Sequence, residues 1–198
     1  MKAGRIYVFM LVALALLVPV VAHGQVATSG ATKTTSLPTT FVFGGDFGYG
    51  LYFIRLKDIK ASDVKVDGAP VYGGHFYYNP IPQAGVGVGL LAGKYLMKVK
   101  GVKEKFDNQM PYANFRYTIL KGHVRPFISG GFDLSFVRFD KSDIKDETML
   151  GINGGVGCIF MPISWLGIQI EGNGNYFFPR YLYSARSVFG TISVVFLF

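Results

Sequence analysis

The stretch Leu166-Gly-Ile-Gln-Ile-Glu-Gly-Asn-Gly-Asn-Tyr-Phe-Phe178 alternates between two kinds of side chain. Leu166, Ile168, Ile170 and Tyr176 share one parity, and Gln169, Glu171, Asn173 and Asn175 share the other. An extended strand sends successive side chains to opposite faces, so this pattern makes a two-faced strand. One face is bulky and apolar, the other small and polar.

Seven further segments of strand length accompany it, giving 41–54, 71–80, 84–97, 110–120, 126–139, 149–160, 166–178 and 186–198. In the first, Phe41, Phe43, Phe47, Tyr49, Leu51 and Phe53 oppose Gly44, Asp46, Gly48 and Gly50. The fourth sets Ala113, Phe115, Tyr117 and Ile119 against Tyr112, Asn114, Arg116 and Thr118. The fifth sets Ile128, Phe132, Leu134 and Phe136 against Ser129, Gly131, Asp133 and Ser135. In the sixth, Leu150, Ile152, Val156, Cys158 and Phe160 oppose Gly151, Asn153, Gly155 and Gly157. The third switches parity partway, from Val86, Val88 and Leu90 to Tyr95, Met97 and Val99, which predicts a β-bulge near Ala92 and Gly93. The charges within the strand cores, Asp46, Arg116, Asp133 and Glu171, all fall on the small polar face.

Connections alternate in length. The stretches 55–70, 98–109 and 140–148 are long or charged, 81–83, 121–125 and 161–165 are short, and 179–185 is intermediate. Long external loops with short periplasmic turns suit a transmembrane barrel, whose strands need about 9–11 tilted residues to cross a bilayer. A soluble ligand-binding barrel would want the reverse polarity, apolar within and polar without. The expected fold is therefore all-β, an eight-stranded antiparallel up-and-down transmembrane β-barrel. Phe53, Tyr72, Tyr95, Phe136, Tyr176 and Phe178 near the outer ends, and Phe41, Tyr78, Phe160, Trp165 and Phe198 near the periplasmic ends, are placed to form interface girdles.

Composition agrees. Half of the 198 residues are hydrophobic and 26 are Gly, yet beyond residue 22 no run approaches the roughly 18 apolar residues of a spanning helix. Lys2 and Arg5, the apolar run 6–18 and Pro19 before small residues read as a secretory signal over 1–24, cleaved after Ala22 or Gly24. Residues 25–40 read as a flexible periplasmic segment and 41–198 as the barrel. Loss of Lys2 and Arg5 would leave 18 of the 20 basic residues against 12 acidic ones. With Cys158 alone, no internal disulfide and no multi-cysteine metal site can form, and no cofactor is expected.

The chain closes on Thr191-Ile-Ser-Val-Val-Phe-Leu-Phe198. Phe198 and Phe196 fill the aromatic places, and Thr191 the polar place, of a barrel-assembly signal, while Ser193 stands where Gly is usual. By this ending and its architecture, 41–198 resembles the small eight-stranded outer-membrane barrels, similar to the OmpA transmembrane domain and OmpX-like proteins. The resemblance implies residence in the bacterial outer membrane. It also implies a meeting with the barrel-assembly machinery, to which the terminal strand would be offered edge-on.

An eight-stranded lumen is narrow enough for side chains to fill. Asp46, His75, Arg116, Asp133 and Glu171 share lumen parity and are expected to form a buried polar network, with Arg116 the natural partner of the three acids. A narrow gated path is the alternative. An outer-leaflet lipid-modifying enzyme would pair His with Ser. His75 is followed two places on by Tyr77, and His123 sits in a periplasmic turn, so no catalysis is expected. Lys57, Lys60, Lys65, Lys98, Lys100, Lys103 and Lys105 would attract lipopolysaccharide phosphates, although interspersed acids equally suit plain solvated loops. Nothing points to nucleic acid, and Gly85, Gly87 and Gly89 alternate as strand positions with no helix to follow. The expected role is structural or surface-interacting, through external loops that meet membrane lipid or an unidentified host ligand.

Overall fold

The computed structural model describes residues 40–56, 63–119, 122–140, 146–179 and 182–198. The signal, nearly all of the 25–40 segment, and Lys57 and Lys60 lie outside them. Among the described residues nine strands are present: β1 Thr40–Leu56, β2 Val64–Asp67, β3 Ala69–Ile81, β4 Ala84–Val99, β5 Val102–Thr118, β6 Val124–Phe139, β7 Glu147–Ile163, β8 Leu166–Phe178 and β9 Leu182–Leu197. Eight of them close an antiparallel barrel in the order β1-β3-β4-β5-β6-β7-β8-β9, with β9 returning to β1.

The register fixes the barrel's shape. A path of directly paired residues starts at Gly44 and passes through His75, Gly89, Tyr112, Asp133, Gly151, Phe177 and Ala185. It re-enters β1 at Ile54, ten residues beyond its start. Over eight strands that stagger tilts each strand by roughly 40° from the barrel axis, within the range of closed barrels. Both described ends of the chain meet at one rim, where Phe41 donates its amide to the Phe198 carbonyl and accepts one in return.

The barrel is polar-in and apolar-out around its middle. Phe47 and Phe132 on the outer wall are 67% and 64% exposed, whereas inward-facing Arg116 is only 2% exposed. From the terminal rim up to a ring formed by Arg55, Lys94, Asp107, Arg138 and Arg186, the described outer wall carries no charge. Along β9, Val188 to Phe198 spans about 25 Å at this tilt, the height of the apolar band of membrane barrels.

Two sequence-based expectations fail here. No bulge interrupts β4, whose pairing with β5 runs unbroken from Ala84↔Tyr117 to Val99↔Val102. Leu91, Tyr95 and Met97 simply face inward and are buried, so Tyr95 belongs to the core and not to an outer girdle. The parity of large residues switches because the lumen's contents change with height, not because the backbone slips. Similarly, most of 98–109 is strand and not loop. β4 and β5 join at Lys100 and Gly101, whose positive φ values of 48° and 85° make the tight hairpin turn that favours Gly. Charge misled because above a membrane a strand's outer face is free to be charged. β2 extends this projection: it pairs with β4 one residue out of step with β3, the extra residue falling around Gly68.

Candidate functional site

The lumen is layered. At the terminal rim Val42, Tyr77, Phe127, Ile159, Met161, Val195 and Leu197 form one apolar cluster. At the outer end a larger cluster is organised around Tyr52, whose ring meets those of Tyr95, Phe106, Phe177 and Phe189 at centroid distances of 5.2, 5.9, 5.8 and 6.3 Å. The lumen face is thus small and polar only in its middle. Tyr52, Tyr77 and Phe177 were not legible as lumen residues, because each sits beside outward aromatics of the neighbouring parity.

Between the two clusters lies a polar belt. All five residues of the expected network, Asp46, His75, Arg116, Asp133 and Glu171, face inward and are buried. They divide among three groups of direct contacts. In the first, the Asp46 carboxylate holds His75 Nδ1 at 2.8 Å and accepts the Ser193 hydroxyl at 2.5 Å. In the second, Arg116 Nη1 donates to Gln169 Oε1 at 2.9 Å, Gln169 Nε2 donates to Glu171 Oε2 at 2.9 Å, and Ser129 donates to Glu171 Oε1 at 2.8 Å. In the third, the side-chain amides of Asn175 and Asn153 donate to Asp133 Oδ2.

Arg116 therefore reaches an acid through Gln169, not by direct ion pairing. Its guanidinium lies 3.8 Å from the Tyr77 ring centroid and 5.3 Å from that of Phe127, so π-faces of the lower cluster supply much of its environment. Glu171 has both carboxylate oxygens bonded by neutral donors, whereas Asp46 and Asp133 each use one oxygen and leave Asp46 Oδ2 and Asp133 Oδ1 buried without a hydrogen-bond partner. Glu147, read from sequence as part of a charged loop, is also buried and faces inward at the start of β7. The hydroxyls of Tyr52 and Ser135 share a hydrogen bond at 2.8 Å, and Ser135 donates to Asn108 at 2.7 Å, a polar thread through the outer cluster. Gln169, Ser129, Asn153 and Asn175 all have lumen parity, but parity alone does not reveal which acid each serves.

The contacts Ser193–Asp46–His75 run in the wrong order for nucleophilic catalysis, because the hydroxyl bonds the carboxylate and not the imidazole. His75 Nε2 instead faces Gly44, where even a Cβ would collide with the ring. Among the described residues no group of three or more His, Cys, Asp or Glu side chains could hold a metal ion.

Of the terminal residues, Thr191 and Ser193 point inward and are buried, while Phe196 and Phe198 point outward. On the projection above the charged ring, Lys65, Lys98 and Lys103 stand directly opposite one another across β2, β4 and β5. Lys98 pairs with Asp67 at 3.4 Å, and lower down Lys94 pairs with Asp107 at 3.6 Å.

No protein-family model matches the chain, and no curated protein matches it in sequence. Solved structures match the fold. Neisserial surface protein A superposes with a TM-score of 0.60 at 13% identity, covering 79% of this chain and 96% of its own. The outer membrane protein OprG of Pseudomonas aeruginosa gives 0.62 at 15% identity, covering 82% and 97%. Ail, the attachment invasion locus protein of Yersinia pestis, in complex with the heparin analogue sucrose octasulfate, gives 0.53 at 13% identity, covering 82% and 100%. The eight-stranded barrel is the fold of small bacterial outer-membrane proteins, as the sequence led us to expect.

Proposed function

We propose that this protein is an integral outer-membrane barrel with a closed lumen, acting as a structural or surface-interaction protein through its external side. The observation that carries this reading is the double seal. Apolar clusters cap the polar belt at both ends, and Tyr52 with its four ring neighbours crosses the outer half of the lumen. An uncharged outer wall about 25 Å tall supports the membrane location, and the barrels it resembles are outer-membrane proteins.

Activity is then left to the projection built by β2, β4 and β5. Like charges placed directly opposite on a sheet repel; Asp67 offsets Lys98, and an anion that settles on the row Lys65–Lys98–Lys103 relieves the rest. Phosphates of surface lipopolysaccharide, or an acidic host polysaccharide, have the required charge. The sulfated ligand in the Ail complex is an anion of that kind, held by that protein. Phe196 and Phe198 present the terminal aromatics outward, as presentation to the assembly machinery requires.

Single-channel recording on the purified protein in planar bilayers tests the closed lumen. The expected result is a silent membrane, and steady unit conductance overturns it. Conductance would favour the gated-path alternative, for which the polar belt supplies the lining.

A further inference from the structure

Around Asp133 the polar belt holds more acceptors than donors. Asn114 on β5, Gly131 on β6, Asn153 on β7 and Asn175 on β8 stand directly opposite one another in one inward-facing row. Asp133 lies two residues from Gly131, nearer the outer end. Asn153 and Asn175 both turn their amide nitrogens to Asp133 Oδ2. What remains is oxygen. Asp133 Oδ1 and the Oδ1 atoms of Asn114, Asn153 and Asn175 are buried and make no hydrogen bond among the described residues. Asp133, Asn114 and Asn175 are only 2%, 6% and 7% exposed.

The neighbouring strands are cut back to hold these oxygens. A Cβ at Gly131 would meet Asn114 Oδ1 at 2.5 Å, and one at Gly151 would collide with Asp133 Oδ1. Both glycines border Asn153, Gly131 directly across the strands and Gly151 two residues along β7. The unbonded oxygens of Asn114 and Asp133 therefore lie over glycine floors on two sides of the Asn153 side chain, with Asn175 on a third.

Charge singles out the same place. Asp46 has His75 beside it, and Glu171 reaches Arg116 through Gln169. Among the described residues no ion pair includes Asp133, and Arg116 is turned to Gln169, Tyr77 and Phe127. A buried carboxylate without a counter-charge is costly, and amide donors do not neutralise it. Water would satisfy the oxygens and leave the charge. A hard cation does both, exchanging its hydration shell for carboxylate and carbonyl oxygens. The single carboxylate also selects the ion. A monovalent cation balances Asp133, whereas a divalent one leaves an excess positive charge in a low-dielectric space.

We infer that the lumen holds one alkali-metal cation, Na⁺ or K⁺, on Asp133 Oδ1 and the side-chain carbonyl oxygens of Asn114, Asn153 and Asn175. The donor set is one acid and three amides, not a cluster of acids or histidines. The stacked rings of Tyr52 and Phe177 belong to the cluster on its outer side, so the ion is a fixed part of the lumen's filling and not a conducted one. This adds a bound ion to the closed lumen and does not depend on what the external surface binds.

The test is urea unfolding of the full-length protein from lipid vesicles in NaCl, KCl, CaCl₂ or N-methyl-D-glucamine chloride, at equal ionic strength and fixed pH. Once the site is saturated, each tenfold rise in the bound cation should raise the folded-to-unfolded ratio about tenfold, the response to one ion. The NaCl and KCl arms show which ion that is. Asp133→Asn should abolish the response, and Glu171→Gln should keep it at lower overall stability. Asn153→Asp adds a second charge and should move the response to Ca²⁺, which keeps the test open should Asp133→Asn fail to fold. Crystals grown in RbCl should show an anomalous peak between Asp133 and Asn153. A wild type that answers equally to every salt, or to Ca²⁺ alone, overturns the site. So does water in place of rubidium, or a gain in stability on acidification with no response to Na⁺ or K⁺, which assigns a protonated Asp133 instead. Steady conductance in bilayers sinks the closed lumen alone, whereas a flat salt response sinks the ion alone.

Discussion

The polar belt and the outer aromatic cluster fill the same lumen by opposite means. In the belt, Asp46, Glu171 and Asp133 each hold a carboxylate among specific donors, so every position depends on the partner opposite. In the outer cluster, rings meet rings at 5–6 Å and the filling is largely non-directional. The belt should therefore be intolerant of single substitutions that orphan a charge, and the cluster sensitive to lost volume. The two regions fill the lumen differently: one by directed hydrogen bonds, the other by packed rings.

The comparison can be broken first at its largest expected effects. Arg116→Met leaves Gln169 and Glu171 without their cation and should cost about 3–5 kcal/mol in urea-induced unfolding from lipid vesicles. Glu171→Gln should cost about 1 kcal/mol, because Gln169 and Ser129 can still bond the amide. A larger loss from Glu171→Gln than from Arg116→Met would show that the acid and not the cation organises the belt.

Tyr52→Ala removes the ring at the centre of the outer cluster and should cost about 3–4 kcal/mol in the same unfolding measurement. Combined with Phe177→Ala it should also open the seal, turning a silent bilayer into a conducting one. A silent double variant would mean that the lower cluster closes the lumen by itself.

Smaller effects follow at the edges of each region. Ser193→Ala removes one hydroxyl donor from Asp46 but leaves His75 in place, a loss of about 1–2 kcal/mol by vesicle unfolding. Lys103→Gln on the projection should change stability by less than about 0.5 kcal/mol. Binding to vesicles that carry anionic headgroups should nonetheless fall and lose part of its salt dependence. Unchanged binding at low salt would remove the lysine row from the external surface's role.

Much of this was legible along the chain. The alternation in 166–178 survives intact in β8, with Gln169, Glu171 and Asn175 buried inside and Ile168, Ile170 and Tyr176 outside. Asp46, His75, Arg116, Asp133 and Glu171 share one parity in the sequence and are buried in the structure. The failures share a cause. Tyr95, Phe106 and Phe177 are aromatics of lumen parity, yet size and apolarity alone do not say which face is the membrane's. Glu147 and 98–109 were read as loop because charge in a strand is unexpected until the membrane boundary is known.

The sequence by itself determined the two-faced strands and their number. It also determined the inversion of polarity that suits a lipid surround, since each depends only on a period of two and on side-chain chemistry. Tertiary structure decided what parity cannot carry. The ten-residue stagger sets which depths of different strands meet, and so pairs Asp46 with His75 and Ser193, and Arg116 with Gln169. The same stagger gathers inward rings into two apolar clusters, one at each end of the lumen. Depth around a closed barrel is a property of the register, and the register exists only once every strand has found its neighbours.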